Sequence, residues 1–346
     1  NYASELILST GGSGATNIGS LIEAGVLADG TAVLGTTSAA GTLYSSDVDN
    51  GATRTWAVVG DPSTSYGTFA ISSSGAWSFS LDNSKTATQA LSLGQQISET
   101  FAVRVTDEFG ASADQTVTLT ITGSNDGPVV TTPAGGQLGT VREAGHFDNG
   151  AVDAGTATVS GTLIASDVDA GATRSWSILT GGPSTYGSIA IDAATGVWTY
   201  TLDNTLAATQ ALKETQSVNQ TYTARVTDDN GAYADQTITV TINGGNDKPT
   251  ISYAVGQTSG TVQEDNAALI TASGTLSSSD LDAGATAAWS APAPNGSYGT
   301  IAIDASTGVW TYTLDTSRAA VQALAEGQSV NDAFVLRVTD DFGAYA

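Results

Sequence analysis

The sequence predicts an all-β protein of three tandem Greek-key β-sandwiches, with about seven strands in each. Two sequence motifs recur along the chain at intervals of roughly 110 to 120 residues. This interval is the length of a whole domain and is too long for a solenoid repeat. The first is Val-Thr-Asp-x-x-Gly-Ala, whose aspartates are Asp107, Asp228 and Asp340. The second is Gly-Thr-Leu, which begins at Gly41, Gly161 and Gly274. Each copy is therefore expected to bury its own core.

Period-two alternation in the second copy predicts the strands. Trp198, Tyr200 and Leu202 alternate with threonines and a valine, which is typical of a half-buried strand with a wet outer face. Strands are predicted around residues 137–142, 157–166, 173–179, 186–191, 197–202, 218–227 and 234–242, and one or two helical turns at 205–212. Seven short strands in about 100 residues are typical of an immunoglobulin-like sandwich. The six tryptophans recur in pairs and are predicted to be core residues: Trp56, Trp77, Trp176, Trp198, Trp289 and Trp310.

The composition limits the possible partners. The 346 residues carry 34 acidic and 10 basic side chains, a net charge of -24, which argues against nucleic acids and anionic membrane surfaces. There is no cysteine, so disulfides and thiolate chemistry are absent. No apolar run is long enough to cross a bilayer. His146 is the single histidine and stands in one repeat only, and no insertion forms a cleft, so no enzymatic activity is predicted.

Short polar linkers that end in proline mark the predicted boundaries, at 123–128 and 244–249. The predicted segments are a terminal strand (1–11), repeat 1 (12–126), repeat 2 (127–247) and repeat 3 (248–346). Repeat 3 is predicted to lack its last strand. The segment at 1–11 resembles that strand, which leaves two interpretations: it is the tail of a preceding repeat, or residues 3–10 are a donor strand that completes repeat 3 of the next chain in a head-to-tail filament.

An Asp-x-Asp doublet recurs at one place in every repeat: Asp47 and Asp49, Asp167 and Asp169, Asp280 and Asp282. In extended backbone, residues i and i+2 point to the same side, so the two carboxylates repel each other. A hard cation such as Ca²⁺ removes that repulsion, whereas the alternative is a solvated acidic turn. The doublets do not begin EF-hand loops, because the glutamate required eleven residues later is absent.

Three further acidic positions recur and strengthen the prediction of calcium. One lies near the first strand, one in a Leu-Asp-Asn or Leu-Asp-Thr phrase, and one in the Val-Thr-Asp phrase. The linkers add Asn-Asp, so each joint between repeats gathers several oxygen ligands. The three sets are Glu23, Glu143 and Glu264; Asp82, Asp203 and Asp315; and Asp107, Asp228 and Asp340.

The order of these motifs resembles that of cadherin domains. Ala165-Ser166-Asp167-Val168-Asp169 is followed by Leu202-Asp203, then Arg225-Val226-Thr227-Asp228, then Asn246-Asp247-Lys248-Pro249. The amino-acid sequence as a whole, from about Gly19 to Ala346, is more similar to bacterial VCBS repeats. Such repeats occur in large secreted or surface-attached bacterial proteins, often RTX-type adhesins of biofilms, in which stacked copies act as extenders.

The resemblance implies Ca²⁺ between successive repeats. The first joint is implied to use Glu23, Asp82, Asn125, Asp126, Asp167, Asp169 and Asp228. The second is implied to use Glu143, Asp203, Asn246, Asp247, Asp280, Asp282 and Asp340. The linkers depart from the cadherin pattern, since Gly123 and Gly244 replace an aspartate, and this predicts one or two ions per joint. Affinity is expected in the extracellular class, roughly 10⁻⁴ to 10⁻³ M.

The predicted function is that of a calcium-stiffened rod, an extender or adhesin module of a bacterial extracellular or cell-surface protein, whose partners are neighbouring repeats. The filament described above is one alternative. A carbohydrate-binding module is another, with Tyr66, Tyr186 and Tyr298 as aromatic platforms, although their place in a Tyr-Gly phrase before a strand favours a structural role.

Overall fold

The fold is that of a computed structural model, which describes residues 6–9, 16–49, 51–180 and 184–346, with 6–9 as backbone only. In repeats 1 and 2 a four-stranded sheet packs on a three-stranded sheet, and two short two-stranded sheets complete the repeat; repeat 3 has one three-stranded sheet and two two-stranded sheets. The predicted all-β class of three tandem sandwiches is confirmed.

The second repeat follows most of the predicted strands closely, because its alternation of apolar and threonine residues is the most regular. The single strand predicted at 157–166 is wrong, since residues 158–162 and 165–166 are separate strands in different sheets. One sheet has the order β13-β22-β21-β18 and faces the sheet β16-β20-β19; β12 pairs with β17, and β14 with β15. The elements are β12 (Val129–Val130), β13 (Leu138–Arg142), β14 (Gly145–His146), β15 (Val152–Asp153), β16 (Thr158–Thr162), β17 (Ala165–Ser166), β18 (Arg174–Thr180), β19 (Gly187–Ile191), β20 (Val197–Leu202), α2 (Ala207–Gln210), β21 (Ser217–Asp228) and β22 (Tyr233–Asn243).

The first repeat has the same plan. Its sheets are β2-β11-β10-β7 and β5-β9-β8, with β3 paired to β4 and β1 to β6. The elements are β1 (Leu6–Ser9), β2 (Ile18–Ile22), β3 (Gly25–Val26), β4 (Ala32–Val33), β5 (Ser38–Thr42), β6 (Tyr44–Asp47), β7 (Arg54–Val58), β8 (Gly67–Ile71), β9 (Ala76–Leu81), α1 (Thr86–Gln89), β10 (Gln96–Asp107) and β11 (Ser112–Thr122).

The terminal segment takes a position that the sequence did not indicate. Residues 6–9 pair with β6 in antiparallel register, as β12 pairs with β17 in repeat 2. Within this chain β1 is therefore the opening strand of repeat 1, because β6 offers it a free edge. Residues 1–5, 10 and 11 of the predicted terminal strand lie outside the described residues. Donation of this segment to another chain stays a prediction.

The third repeat keeps the three-stranded sheet but has a smaller partner sheet. The sheets are β24-β28-β27, β26-β29 and β23-β25. Of the counterpart of β22, only residues 344–346 are present, and they bond β29 without forming a strand. The described residues 260–263 and 329–334, which correspond to β13 and most of β21, are not strands either. A strand ladder needs a partner for its hydrogen bonds, so loss of the central strand removes both neighbours. The elements are β23 (Thr250–Ser252), β24 (Thr271–Thr275), β25 (Ser277–Ser279), β26 (Ala287–Ser290), β27 (Gly299–Ile303), β28 (Val309–Leu314), α3 (Ala319–Gln322) and β29 (Arg337–Asp340).

All six tryptophans are core residues, as predicted, with at most 6% of their surface exposed. The second tryptophan of each pair also ties a loop to the core through its ring N–H. Trp77 donates to the Thr16 carbonyl at 2.8 Å, Trp198 to that of Gly136 at 2.8 Å, and Trp310 to that of Gln257 at 2.7 Å. The shared hydrogen bond explains why these tryptophans recur at one place in every repeat.

Candidate metal centre at the joints

The first joint brings carboxylates from both repeats to the linker between them. Glu23 directly follows β2, whose parallel pairing with β11 places it beside the start of the linker. Its backbone N–H donates to the Thr122 carbonyl at 3.0 Å. Asp167 and Asp169 follow β17 of the next repeat, and Asp228 ends β21. Both ends of the joint therefore present acidic side chains to residues 124–126.

Hydrogen bonds from the linker cross the first joint. The side-chain amide of Asn125 donates to Asp228 Oδ2 at 2.9 Å, and the Asp126 backbone N–H donates to Asp169 Oδ2 at 2.9 Å. On the other side of the linker, the Ser124 backbone N–H donates to Glu23 Oε2 at 3.2 Å. The linker thus connects carboxylates that belong to two repeats.

The second joint repeats this arrangement residue for residue. Asn246 donates from its amide to Asp340 Oδ2 at 3.0 Å, and the Asp247 backbone N–H donates to Asp282 Oδ2 at 3.0 Å. The Gly245 backbone N–H donates to Glu143 Oε2 at 3.1 Å. Repetition of the contacts shows that the linker geometry is a property of the motif, not of one joint.

Several side-chain oxygens at the joints are buried and have no hydrogen-bond donor. They are Asn125 Oδ1, Asp126 Oδ2, Asp167 Oδ2 and Asp169 Oδ1 at the first joint, and Asn246 Oδ1, Asp247 Oδ2, Asp280 Oδ2 and Asp282 Oδ1 at the second. Buried polar atoms without a partner cost free energy, and each such atom calls for an explanation. The same four atoms are without a partner at both joints, and Asp47 Oδ2 of the doublet in repeat 1 is as well, so these acceptors are free to bind a cation.

The raised pKa values of the joint carboxylates also show that their charged forms are disfavoured at the joints. Burial raises the pKa of Glu23 and of Glu143 to about 8, with further increases from neighbouring aspartates. Burial also raises the pKa of Asp126, Asp247 and Asp282 to about 6, aided by the charge of a nearby aspartate. Without a counter-ion, these joints hold their carboxylates at a cost in free energy.

Repeat 1 shows what the doublet is like where no repeat covers it. Asp49 is exposed, whereas its counterparts Asp169 and Asp282 are 6% and 4% exposed. Asp47 Oδ1 accepts the Asp49 backbone N–H at 2.9 Å, the turn geometry found in all three repeats. Asp107 bonds the backbone of its own turn, at Phe109 and Ala111. The local turn is therefore intrinsic to each repeat, while burial of the second aspartate comes from the joint.

Asp82 and Asp203, which the resemblance implies as ligands, are exposed and bonded within their own turns, unlike the buried aspartates of the joints. Asp82 Oδ1 accepts hydrogen bonds from the backbone N–H and the hydroxyl of Ser84, and Asp203 does the same with Thr205. These bonds lower the pKa of both aspartates. Both side chains close the turn that leads into α1 or α2, because a short polar side chain at this point satisfies free backbone donors.

Sequence reasoning missed a glutamine that supports the buried glutamate. Gln89 and Gln210, which end α1 and α2, donate from their side-chain amides to Glu23 Oε1 at 3.4 Å and to Glu143 Oε1 at 3.0 Å. In repeat 3, Gln322 donates to Glu264 at 2.8 Å. The glutamine recurs before Ala-Leu in every repeat, so its recurrence was the signal that could have identified it.

The joints have the donor chemistry for calcium, although they are not arranged as a closed cage. In the described part of the chain, no group of three or more histidine, cysteine, aspartate or glutamate side chains could hold a metal ion as it stands. The unpartnered oxygens nevertheless belong to carboxylates and carboxamides, the ligands that Ca²⁺ accepts in flexible geometry. The residues therefore fit the ion in type and in unmet bonding capacity.

Comparison with known proteins identifies the family. The family model described as bacterial cadherin-like domain matches three times, at residues 19–123, 125–244 and 246–346. The chain belongs to the bacterial cadherin-like domain family. The three matches correspond to the three sandwiches and divide within the two linkers. No curated protein matches the sequence.

Similar solved structures are cadherins. The chain is 16% identical to a structure titled PcdhgB3 EC1-4, with 96% of this chain and 73% of that one covered and a TM-score of 0.49. It is 15% identical to human CDH23 EC21-23, with 94% and 99% covered and a TM-score of 0.44. At such low identities these likenesses concern the fold alone.

Cadherin-like domains in tandem are generally structural or adhesive modules of extracellular proteins, and the coarse class of this chain follows from the family. Within the described residues, no helix is long and apolar enough to span a membrane. Neighbouring repeats of the chain are partners of one another at both joints.

Proposed function

We propose that this protein is a calcium-stiffened extender module, in which Ca²⁺ at each joint fixes one repeat relative to the next. The observation that carries the proposal is the set of eight buried, unpartnered oxygens at equivalent positions of two joints. The bacterial family, the high negative charge and the resemblance to VCBS repeats support a place in a large adhesin on the bacterial cell surface. No catalytic role is proposed.

At the first joint, the proposed ligands are Glu23, Asn125, Asp126, Asp167, Asp169 and Asp228. At the second, they are Glu143, Asn246, Asp247, Asp280, Asp282 and Asp340. Bound Ca²⁺ supplies positive charge and several coordination positions at once. The linker amide of Asn125 already orients Asp228, and its Oδ1 faces no donor, so one side chain serves both the protein contact and the ion. The doublet at Asp47 and Asp49, together with Asp107, offers the same acidic turn to any repeat that stacks on repeat 1.

The tyrosines of the carbohydrate alternative do not support it. Tyr66 and Tyr186 are half-buried and pack against the hydrophobic cores of repeats 1 and 2. A platform for sugar rings needs an exposed aromatic face, whereas the packing of Tyr66 and Tyr186 favours a structural role, and Tyr298 is half-buried as well. We therefore propose the extender role rather than carbohydrate binding.

The test is small-angle X-ray scattering with titration of Ca²⁺ from chelator to millimolar concentration. Wild-type protein is expected to become longer and stiffer, and its melting temperature to rise, since a ligand that binds only the folded array stabilises it. At tenfold excess over Kd, one ion contributes about 1.4 kcal/mol. Mass growing in multiples of the chain would instead support the head-to-tail filament.

A matched pair of variants makes the test specific. Asp169→Asn removes the negative charge of one proposed ligand, and Asp82→Asn removes the same charge from an exposed aspartate that is bonded within its own turn. Asp169→Asn is expected to weaken the response to calcium, and Asp82→Asn to leave it unchanged. Equal effects of the two variants, or scattering that is identical with and without calcium in the wild type, would refute the proposal.

A further inference from the structure

Two small hairpins lie beside the joints and are absent from the predicted strand pattern. The first is formed by β3 and β4 (residues 25–33) and the second by β14 and β15 (residues 145–153). Their tips are closed by an acceptor side chain: Asp29 Oδ1 accepts the Thr31 N–H, and Asn149 Oδ1 accepts the Ala151 N–H, both at 2.9 Å. In repeat 3 the corresponding residues 264–270 form no strand.

The first strand of each hairpin bonds the linker backbone. Val26 N–H donates to the Asn125 carbonyl at 2.6 Å, and His146 N–H donates to the Asn246 carbonyl at 2.5 Å. A Cβ on Gly25 or Gly145 would collide with that same carbonyl, so the approach requires glycine. Each hairpin therefore fixes the backbone of the linker asparagine, whose side chain reaches the next repeat.

Each hairpin also touches the following repeat directly. A Cβ on Gly231 would lie 3.1 Å from the Ala28 Cβ, and a Cβ on Gly343 would lie 3.2 Å from the Asp148 Cβ. Both glycines belong to the turn after the strand that ends in Asp228 (β21) or in Asp340 (β29). At the first joint, Val26 and Ala232 both lie against linker residue Gly127. A Cβ placed on Gly127 would be 3.3 Å from Val26 Cγ2 and 3.6 Å from Ala232 Cβ.

Repeat 1 provides an internal comparison, because no hairpin stands over its turn in the described structure. Gly110, the counterpart of Gly231, has nothing within 4 Å of a Cβ placed on it. Ala111 is only half-buried, whereas Ala232 and Ala344 are 1% and 0% exposed. The Gly-Ala turn is thus covered at each joint, and open where there is no joint.

We propose that the hairpins are interdomain clasps whose docking surface is the Gly-Ala turn of the following cadherin-like repeat. The clasp consists of backbone hydrogen bonds to the linker and of side-chain contacts with the turn, made by Ala28 at the first joint and by Asp148 at the second, so it restricts the joint without any cation. It goes beyond the proposed calcium role and does not depend on it. A joint deprived of calcium then keeps a preferred orientation and does not become a free swivel.

The experiment measures distances across the first joint by double electron–electron resonance. The chain has no cysteine, so Thr68→Cys in β8 and Ser188→Cys in β19, both exposed, accept spin labels cleanly. Ala28→Glu sets against the turn of Asp228 and Asp229 a side chain that is longer than both Ala28 and Asp148, the residue at the same place in the second hairpin. Ala32→Glu makes the same change at an exposed position of β4 and serves as the control.

In chelator, Ala28→Glu is expected to broaden the distance distribution about twofold, because domains joined by a small interface move freely once it is lost. Ala32→Glu is expected to match the wild type. A second variant replaces residues 27–31 by Asn-Gly, which removes the tip and keeps the strands; it is expected to behave like Ala28→Glu.

An unchanged distribution in chelator for both the Ala28→Glu and the shortened-hairpin variants would overturn the clasp. This outcome is independent of calcium, whose effect is read from the wild type with and without the ion. A wild-type distribution that ignores calcium, together with broadening by Ala28→Glu, would keep the clasp and refute the calcium role.

Discussion

Glu23 and Glu143 show how a single residue ties the chemistry of the joint to the fold. Each is fully buried, follows a strand of the large sheet, and is bonded by a glutamine from the short helix and by a linker N–H. Their pKa of about 8 reflects burial above all. A carboxylate in this position stabilises the protein only if a cation or a proton accompanies it.

Replacing the buried glutamate by glutamine, its neutral isostere, therefore has different expected effects on the calcium-free and the calcium-bound protein. Without calcium, Glu143→Gln is expected to raise the free energy of unfolding at pH 7 by about 1 to 3 kcal/mol, because a raised pKa measures the cost of the charged form. With calcium, the same variant is expected to respond less to the ion. Thermal unfolding in chelator and in millimolar Ca²⁺ measures both effects, and Glu326→Gln, at an exposed position, controls for loss of charge. Destabilisation of Glu143→Gln in chelator would contradict this account.

Lys213 distinguishes the second joint from the first. Its ammonium donates to the Gly284 carbonyl at 3.1 Å and lies 3.9 Å from Asp341 Oδ2, whereas Ser92 at the first joint makes only a neutral bond to the Ala170 carbonyl at 2.9 Å. In chelator, Lys213→Ser is expected to weaken the contact between repeats 2 and 3 by up to about 1 kcal/mol, which is what an exposed ion pair contributes. Distance measurements across that joint at low and high salt check this. If the variant behaves like the wild type at low salt, Lys213 has no such role.

Among the elements, the predictability from sequence follows the number of alternating residues. Six of the seven strands predicted in repeat 2 agree with the structure to within about one or two residues, because each carries several apolar–polar alternations. The seventh, at 157–166, is divided into β16 and β17, and the two-residue β12 was not predicted. The hairpins escaped prediction, since two-residue strands carry no period. The position of β1 and the orientation of Asp82 depend on which hydrogen-bond partners are free, and a sequence pattern does not contain that information.

The reduced sheet of repeat 3 has an expected consequence for its stability. Strand β29 pairs with β26 along its length but on its other edge only with residues 344–346, whereas β10 in repeat 1 is flanked by β7 and by the eleven-residue β11. Backbone amides of Arg337–Asp340 are therefore expected to exchange with solvent at least about tenfold faster than those of Arg104–Asp107, since local opening needs fewer contacts to break. Hydrogen exchange with mass spectrometry measures this difference. Equal protection in the two segments would show that a further strand pairs with β29 in solution.

For the whole molecule, the carboxylates of both joints add to one dependence on pH. Glu23 and Glu143 have a pKa of about 8 in the folded protein against 4.5 as the reference value, so the folded state binds more protons than the unfolded state between these limits. Without calcium, the contribution of these two glutamates to the free energy of unfolding is therefore fully present below about pH 4.5. It falls as the pH rises above this value and is lost once the pH has passed 8.

In saturating calcium, the ion competes with those protons, and the dependence is expected to reverse between pH 6 and 8. Unfolding by urea at pH 5.5, 7 and 8.5, each with chelator and with calcium, distinguishes the two trends. Parallel curves in both conditions would show that the joint carboxylates do not exchange protons for the ion.

The equivalence of the two joints has a geometric consequence. A linker that makes the same bonds twice applies the same rotation and translation twice, which is a screw operation along the chain. Any longer array of such repeats would wind as a superhelix whose pitch is set by a few atoms at each linker. Because that pitch depends on carboxylates, the ions and protons of the surrounding medium would determine more than the stiffness of such an array. They would also determine which surface of the repeats recurs on one side of the superhelix, and at what spacing.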